Sequence, residues 1–282
     1  MFRGLVAMGV VLGLGATGWA AETTLERIAR TGILTAGTRT ASIPFAYINE
    51  KNEWIGFSID LLGEIRARLE QTLKKPIKLE KKEVTPATRI PLVANRTIDI
   101  ECGSTTYTRG RDETVDFTIN FFFTGSQLLV KRGSPIKGID DLVGRRVGAA
   151  QGTTNEKAVR EQQPRATLVV FQDHAQGFLA LQQGKIDAYT TDGILLAGLA
   201  VKAPNPKDYE VVGDFFSLDP YSCIVPENDS KWRDFANHTL MELIESGKFF
   251  RLYDKWFGEK GVVPYPMNEM VRNYMRMQAM PK

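Results

Sequence analysis

Histidine and cysteine are scarce in this sequence: the 282 residues hold two of each. His174 and His238 sit at ligand spacing neither from one another nor from Cys102 or Cys223, so no zinc-type motif is present and no metal is expected. Two histidines also leave few bases for a hydrolase. Ser104, in the stretch ECGSTTYTRGR (101–111), lacks the second glycine of a GxSxG elbow. Phosphate-loop chemistry is missing too, because QGTT (151–154) offers a glycine and two hydroxyls before a helix but neither the lysine nor the length of a nucleotide loop. The adjacent carboxylates Asp140 and Asp141 stand in GIDDLVG, at a helix start, where acidic residues stabilise the N-terminus. No cofactor is expected. Charge of one sign is also lacking: the formal net charge is +3 and dispersed, which excludes a nucleic-acid footprint.

Long apolar runs are absent except at the beginning. MFR places a positive charge ahead of GLVAMGVVLGLGATGWA, which ends in small residues before AETT. This reads as a secretory signal peptide over residues 1–20, cleaved near Ala20, and hence as an exported, periplasmic protein. An N-terminal membrane anchor is the competing reading, since about 18 apolar residues can span a bilayer. An oxidising compartment would permit a Cys102–Cys223 disulfide, and two buried free thiols are the alternative.

What remains is ordinary globular material, 43% hydrophobic and 24% charged, in which helical and extended patterns alternate as in an α/β protein. SIDLLGEIRARLEQTL carries Ile59, Leu62, Ile65, Leu69 and Leu73 at helical spacing, with Ser58 as the cap candidate. IKLEKKEV alternates like a strand. TPATRIPLVAN reads as a helix capped by Thr85 with Pro86 in its first turn. WRDFANHTLMELIESG and FFRLYDKWFG are amphipathic helices.

An internal echo sets the architecture. LVANRTIDIECGSTT and LQQGKIDAYTTD each contain a helix end, a polar turn, an Ile-Asp pair opening a strand, and a polar strand exit. One such unit in each of two α/β lobes would bring the exits GSTT and TTD face to face across a cleft, since ligands bind beyond strand carboxyl ends in open sheets. Segments 126–131 and 221–225 are the expected crossover strands and hinge. That makes 21–125 plus 221–282 the first lobe and 126–220 an inserted second lobe. Arg39, Arg89 and Arg111 all fall near strand exits or helix starts on the cleft side.

These stretches carry a resemblance. TRTASIPFAY, TRIPLVANRTIDIECGSTT, TRGRDETVDFT, GSQLLVKRG, AAQGTTNEK, DHAQGFLALQQGKIDAYTTDGILLAG, PYSCIV and YDKWF resemble, in order over about 22–260, family 3 solute-binding proteins, and within them the glutamate/aspartate-binding proteins of amino-acid ABC transporters. The resemblance implies a two-lobed periplasmic-binding-protein type II fold. It further implies a monomer that closes on L-glutamate or L-aspartate without catalysis and delivers it to an inner-membrane ABC permease. Ser104, Thr105 and Thr106 would then present hydroxyls and N–H groups, Arg111 would fork onto the α-carboxylate, and Asp192 would take the α-ammonium. Arg39, Arg89 and His174 would serve the side-chain carboxylate, with Thr153 and Thr154 as donors from the second lobe. The sequence departs from those relatives at Pro86, where they carry a serine. A secreted dehydratase or hydrolase on the same scaffold, or a free-standing sensory module, are the competing classes, because fold does not fix function.

Overall fold

The computed structural model describes residues 22–279. The expected signal peptide lies outside them. Among the described residues no helix is long and apolar enough to cross a membrane.

Two five-stranded sheets share one strand plan. In the first, Ile33–Thr38 is flanked by parallel Lys78–Glu83 and Ile100–Glu101, and Ile224–Pro226 and Val115–Phe117 complete the far edge. In the second, Arg146–Ala150 is flanked by parallel Thr167–Phe171 and Ala188–Asp192, followed by antiparallel Ser126–Lys131 and Tyr209–Val212. Each sheet is packed on both faces. Leu34, Ala36 and Ile100 face one apolar cluster of the first lobe, and Val84, Val93, Ile98 and Ile224 another. In the second lobe Leu129 and Tyr189 belong to one cluster and Leu128, Val130, Val147 and Ala188 to the other.

The Ile-Asp echo has a shared physical task. The Asp99 N–H donates to Thr35 O at 2.8 Å while Asp99 Oδ2 accepts from Thr35 N–H at 2.7 Å. In the second lobe the Asp187 N–H donates to Arg146 O at 2.8 Å, and Asp187 Oδ2 accepts from Arg146 N–H at 2.8 Å. Each aspartate thus clamps the start of the third strand to one residue of the central strand. Arg27 and Arg146 pair with the respective carboxylates. With the starts registered in this way, both polar exits emerge on the cleft side.

The crossover differs from the sequence expectation by a few residues. Ser126–Lys131 lies wholly inside the second sheet, and the chain passes between lobes through an antiparallel pair, Phe122–Thr124 with Asp219–Tyr221. The apolar run FFFTGSQLLVK looks continuous but is broken at Gly125, where an added Cβ would lie 2.3 Å from Ser217 O. Phe122 and Tyr221 stack at 5.8 Å, and Phe45 packs edge-on against both at 4.9 and 5.3 Å, so the passage is anchored on the first lobe's core.

Local expectations are met in part. The helix expected at SIDLLGEIRARLEQTL runs Phe57–Leu73, but Gly56 precedes it without a side-chain cap and the Ser58 hydroxyl is buried and unpartnered. Ser58 falls two residues past the cap position because Phe57 is already helical. At TPATRIPLVAN the regular helix is Arg89–Ala94, and a tight turn leads in, in which Thr85 Oγ1 accepts from Thr88 N–H at 3.2 Å. GIDDLVG forms a 3-10 turn, Ile139–Leu142, with Asp141 accepting from the Lys137 N–H. The amphipathic helices appear as Ser230–Glu245 and Lys248–Phe257. A further helix, Glu269–Gln278, was not anticipated. It lies against the passage: Tyr274 meets Phe123 edge-on at 5.2 Å, and Gln278 donates to Asn120 O at 2.9 Å.

Candidate functional site

The strand exits of both lobes meet in one buried pocket. A narrow pocket is lined by Arg89, Ser104 and Thr106 from the first lobe and Thr153, Thr154, Asn155, His174, Thr191, Asp192 and Leu195 from the second. Seven of the residues expected from sequence therefore converge: Arg89, Ser104, Thr106, Thr153, Thr154, His174 and Asp192. At the mouth a wider groove of about 600 Å³ is lined by Arg109, Arg111, Gly152, Lys157 and Arg160 among others.

Of the three arginines expected at the site, Arg89 lines the cavity and Arg111 the groove, whereas Arg39 lines neither; Arg89 acts electrostatically on both of the others. Arg39 follows the Ile33–Thr38 strand and is buried. Burial, then the Arg89 charge, pushes its guanidinium down to about 9. The Arg111 guanidinium is likewise pushed down to about 9, by burial and then by Arg89. All three stay cationic at neutral pH. Arg111 bridges the lobes, its Nη1 donating to Thr106 O at 2.8 Å and its Nη2 to Gly152 O at 3.0 Å. Gly152 has φ +77°, and a Cβ there would sit 3.0 Å from Ala87 Cα across the cleft, so only glycine lets the lobes approach this closely. Arg39 Nη1 and Arg89 Nε are buried without a hydrogen-bond partner among the described residues. Such atoms are rare in folded proteins and mark a functional constraint when they border a cavity.

Glu101 is the counter-charge behind the arginines, and sequence reasoning passed over it. It is fully buried, one oxygen accepts from Thr105 Oγ1 at 2.7 Å, and its charge favours the ionised form of Arg39, Arg89 and Arg111. Thr105 consequently does not line the cavity. Its hydroxyl is turned to Glu101, the structural correction to its expected ligand contact.

Two further roles shift. His174 was expected to serve the side-chain carboxylate beside Arg39 and Arg89, and burial first, then those two arginines, hold its imidazole well below its ordinary value. It is therefore neutral and offers a hydrogen bond only. Its Nδ1 lies 2.9 Å from the Tyr189 hydroxyl, which fixes the ring. Thr153 is the N-cap of the Thr154–Gln162 helix: its hydroxyl donates to Ala150 O at 2.7 Å and accepts from Glu156 N–H at 3.1 Å. It lines the cavity at a helix N-terminus, a position suited to an anion.

Asp192 ends the Ala188–Asp192 strand. Burial first, then the charge of Asp219, pushes its carboxyl up to about 7, while hydrogen bonds from Tyr221 and Asn155 and the Arg89 charge pull it down. Asn155 Nδ2 reaches Asp192 Oδ1 at 2.8 Å. An arriving cation would complete the compensation. Cys102 and Cys223 are joined in a disulfide, which resolves the alternative left open by the sequence. Among the described residues no group of three or more His, Cys, Asp or Glu is placed to hold a metal ion.

Two α/β lobes closing strand exits over a charged cavity define a receptor for a small solute, and the comparisons agree. The chain belongs to the bacterial extracellular solute-binding proteins, family 3, matched over residues 34–259. It is 36% identical to the L-glutamate/L-aspartate-binding protein of Pseudomonas aeruginosa, over 88% of this chain and 86% of the relative. It is 34% identical to the glutamate/aspartate import solute-binding protein of Salmonella typhimurium, over 90% and 85%. Among solved structures it resembles an ancestral arginine-binding protein bound to glutamine, with TM-score 0.76 and 31% identity, over 81% of this chain and 99% of that one.

Proposed function

We propose that this chain is the exported binding component of an ABC importer for acidic L-amino acids, closing by hinge motion at the Phe122–Thr124 and Asp219–Tyr221 pair. It acts as a monomer and hands glutamate or aspartate to an inner-membrane permease, with no bond made or broken. The observation that carries this reading is the pair of buried arginines with unpartnered nitrogens, Arg39 and Arg89, the second of which lines the cavity together with Asp192. Arg111 would hold the α-carboxylate, Asp192 the ammonium, and Arg39 and Arg89 the side-chain carboxylate. A neutral side chain would leave Arg39 and Arg89 without an anion from the ligand, and buried charge without a partner is costly. The names of the Pseudomonas and Salmonella relatives support the same ligand class.

A thermal-shift panel over the twenty amino acids tests this directly, because a ligand that binds only the folded state raises the transition temperature. Glutamate and aspartate are expected to give the largest shifts, and glutamine and asparagine small ones. In Arg89→Ala the preference for glutamate over glutamine should shrink by at least about tenfold in Kd, since the penalty for a neutral side chain goes with the charge. A panel in which a neutral or basic amino acid wins would overturn the acidic assignment.

The raised Asp192 carboxyl gives a pH dependence with a definite sign. In the free protein, ionising this buried group costs stability, so its contribution falls as pH rises from its unfolded value of 3.8 toward about 7. The ligand ammonium favours the ionised form. Affinity should therefore rise with pH up to about 7 and level off above it, by up to about tenfold per unit below that point. Calorimetry at pH 6 in buffers of different ionisation heat should detect proton release on binding. An affinity flat from pH 5 to 8 would remove Asp192 from the ammonium site.

A further inference from the structure

Asp219 was not singled out from the sequence, and it does not line the cavity. It nevertheless holds both sides of the cleft. It lies buried in the Asp219–Tyr221 strand of the passage between lobes. Its Oδ1 accepts from Thr106 Oγ1 of the first lobe at 2.8 Å and from Thr154 Oγ1 of the second lobe at 2.8 Å. Its other oxygen accepts from the Ser217 hydroxyl. From Ser217 the network continues to Ser126 Oγ at 2.6 Å, and Ser126 Oγ accepts from Asn155 Nδ2 at 2.6 Å. Asn155 in turn holds Asp192. One chain of hydrogen bonds thus runs from the passage to the carboxylate proposed for the ligand ammonium.

We propose that Asp219 is a positioning residue that latches the two lobes together over the ligand, acting through Thr106 and Thr154. The two bonds differ in what lobe motion does to them. Thr106 is tied to the passage by its own backbone, through an antiparallel bridge to Tyr221 and the bond from Tyr107 N–H to Pro220 O at 2.9 Å, so it travels with Asp219. Thr154 is the first residue of a second-lobe helix, so its bond to Asp219 forms when the lobes close and breaks when they open. A carboxylate only accepts, so both hydroxyls spend their protons on Asp219. In this arrangement neither hydroxyl donates to a ligand, which leaves the N–H groups as the donors that the resemblance implied for Thr106 and Thr154. Asp219 is also close enough to raise the Asp192 carboxyl and to favour the charged form of Arg111, so it acts on both ligand poles at once.

The inference rests on the cleft being an amino-acid site, and the test separates the two. Stopped-flow binding of glutamate to wild type, Asp219→Ala, Asp219→Asn and Thr154→Val should show a dissociation rate at least about tenfold faster in Asp219→Ala and Thr154→Val, with association changed far less. Asp219→Asn, which keeps an acceptor oxygen, should recover most of the loss. The double variant Asp219→Ala/Thr154→Val should be no faster than Asp219→Ala, because both remove one contact. An unchanged dissociation rate in Thr154→Val, or additive effects in the double variant, overturns the latch. Should Asp219→Ala fail to fold, Thr154→Val and Asp219→Asn carry the same comparison. If no amino acid binds wild type, the site reading fails by itself. The latch is then decided by small-angle scattering of the ligand-free proteins: a larger radius of gyration in Thr154→Val than in wild type supports it, and identical curves overturn it.

Discussion

Replacing Arg111 by alanine is expected to abolish amino-acid binding, with Kd raised at least about 100-fold, since truncating one partner of a buried charge pair costs about 3–5 kcal/mol. Three observations set the size. The guanidinium is half-buried, and it donates to Thr106 O and Gly152 O on opposite sides of the cleft. It also faces Asp219 and Asp192, whose charges favour its protonated form. Alanine would remove the fork for the α-carboxylate and one of the bonds that close the lobes, while leaving two carboxylates with less compensation. Lysine would restore the charge without the planar fork, so Arg111→Lys should recover only part of the affinity. Calorimetry decides: wild-type affinity for glutamate in Arg111→Ala would sink the site assignment, whereas a uniform loss across all amino acids supports the α-carboxylate role. Arg89→Ala, in contrast, should spare some binding and change which side chain is preferred.

How far the sequence foretold the structure depended on whether a residue's role was local. The Ile-Asp pairs were legible because the same short pattern occurs twice, and each aspartate clamps the central strand of its own lobe. The arginines and Ser104 stood out as cations and a hydroxyl gathered near strand exits, and Asp192 entered through the family resemblance. Gly125 was not legible as a break, since FFFTGSQLLVK reads as one apolar strand until the carbonyl of Ser217 is placed against it. Asp219 escaped notice because its partners, Thr106 and Thr154, are far away in sequence and on different lobes. Glu101 sat in plain sight beside Cys102, but only the packing reveals that it lies behind three arginines. The neutrality of His174 is likewise a property of its surroundings, not of its position in the chain. The Glu269–Gln278 helix has five apolar or aromatic side chains, yet only Met275 is buried, which gives periodicity little to report.

Removing the Cys102–Cys223 disulfide is the second change with a large expected effect, this time on stability. The bond closes a loop with a sequence separation of 121, and the chain-entropy relation assigns such a loop about 5 kcal/mol. Measured losses for native disulfides run about 2–5 kcal/mol, which for a chain of this size corresponds to a transition temperature lower by on the order of 10 °C. The effect should fall on the first lobe, because the loop contains the whole second sheet while both cysteines sit in the first. Cys102 follows the Ile100–Glu101 strand and Cys223 precedes Ile224–Pro226, its partner in the sheet. The bond therefore fastens the two segments, 102–106 and 219–224, that carry Ser104, Thr106 and the passage between lobes. Cys102→Ala/Cys223→Ala and reductant-treated wild type should lose similar stability by differential scanning calorimetry, with glutamate restoring part of it at high concentration. A loss below about 1 kcal/mol in both would show that sheet pairing and the Phe45, Phe122 and Tyr221 cluster hold this junction without the covalent tie.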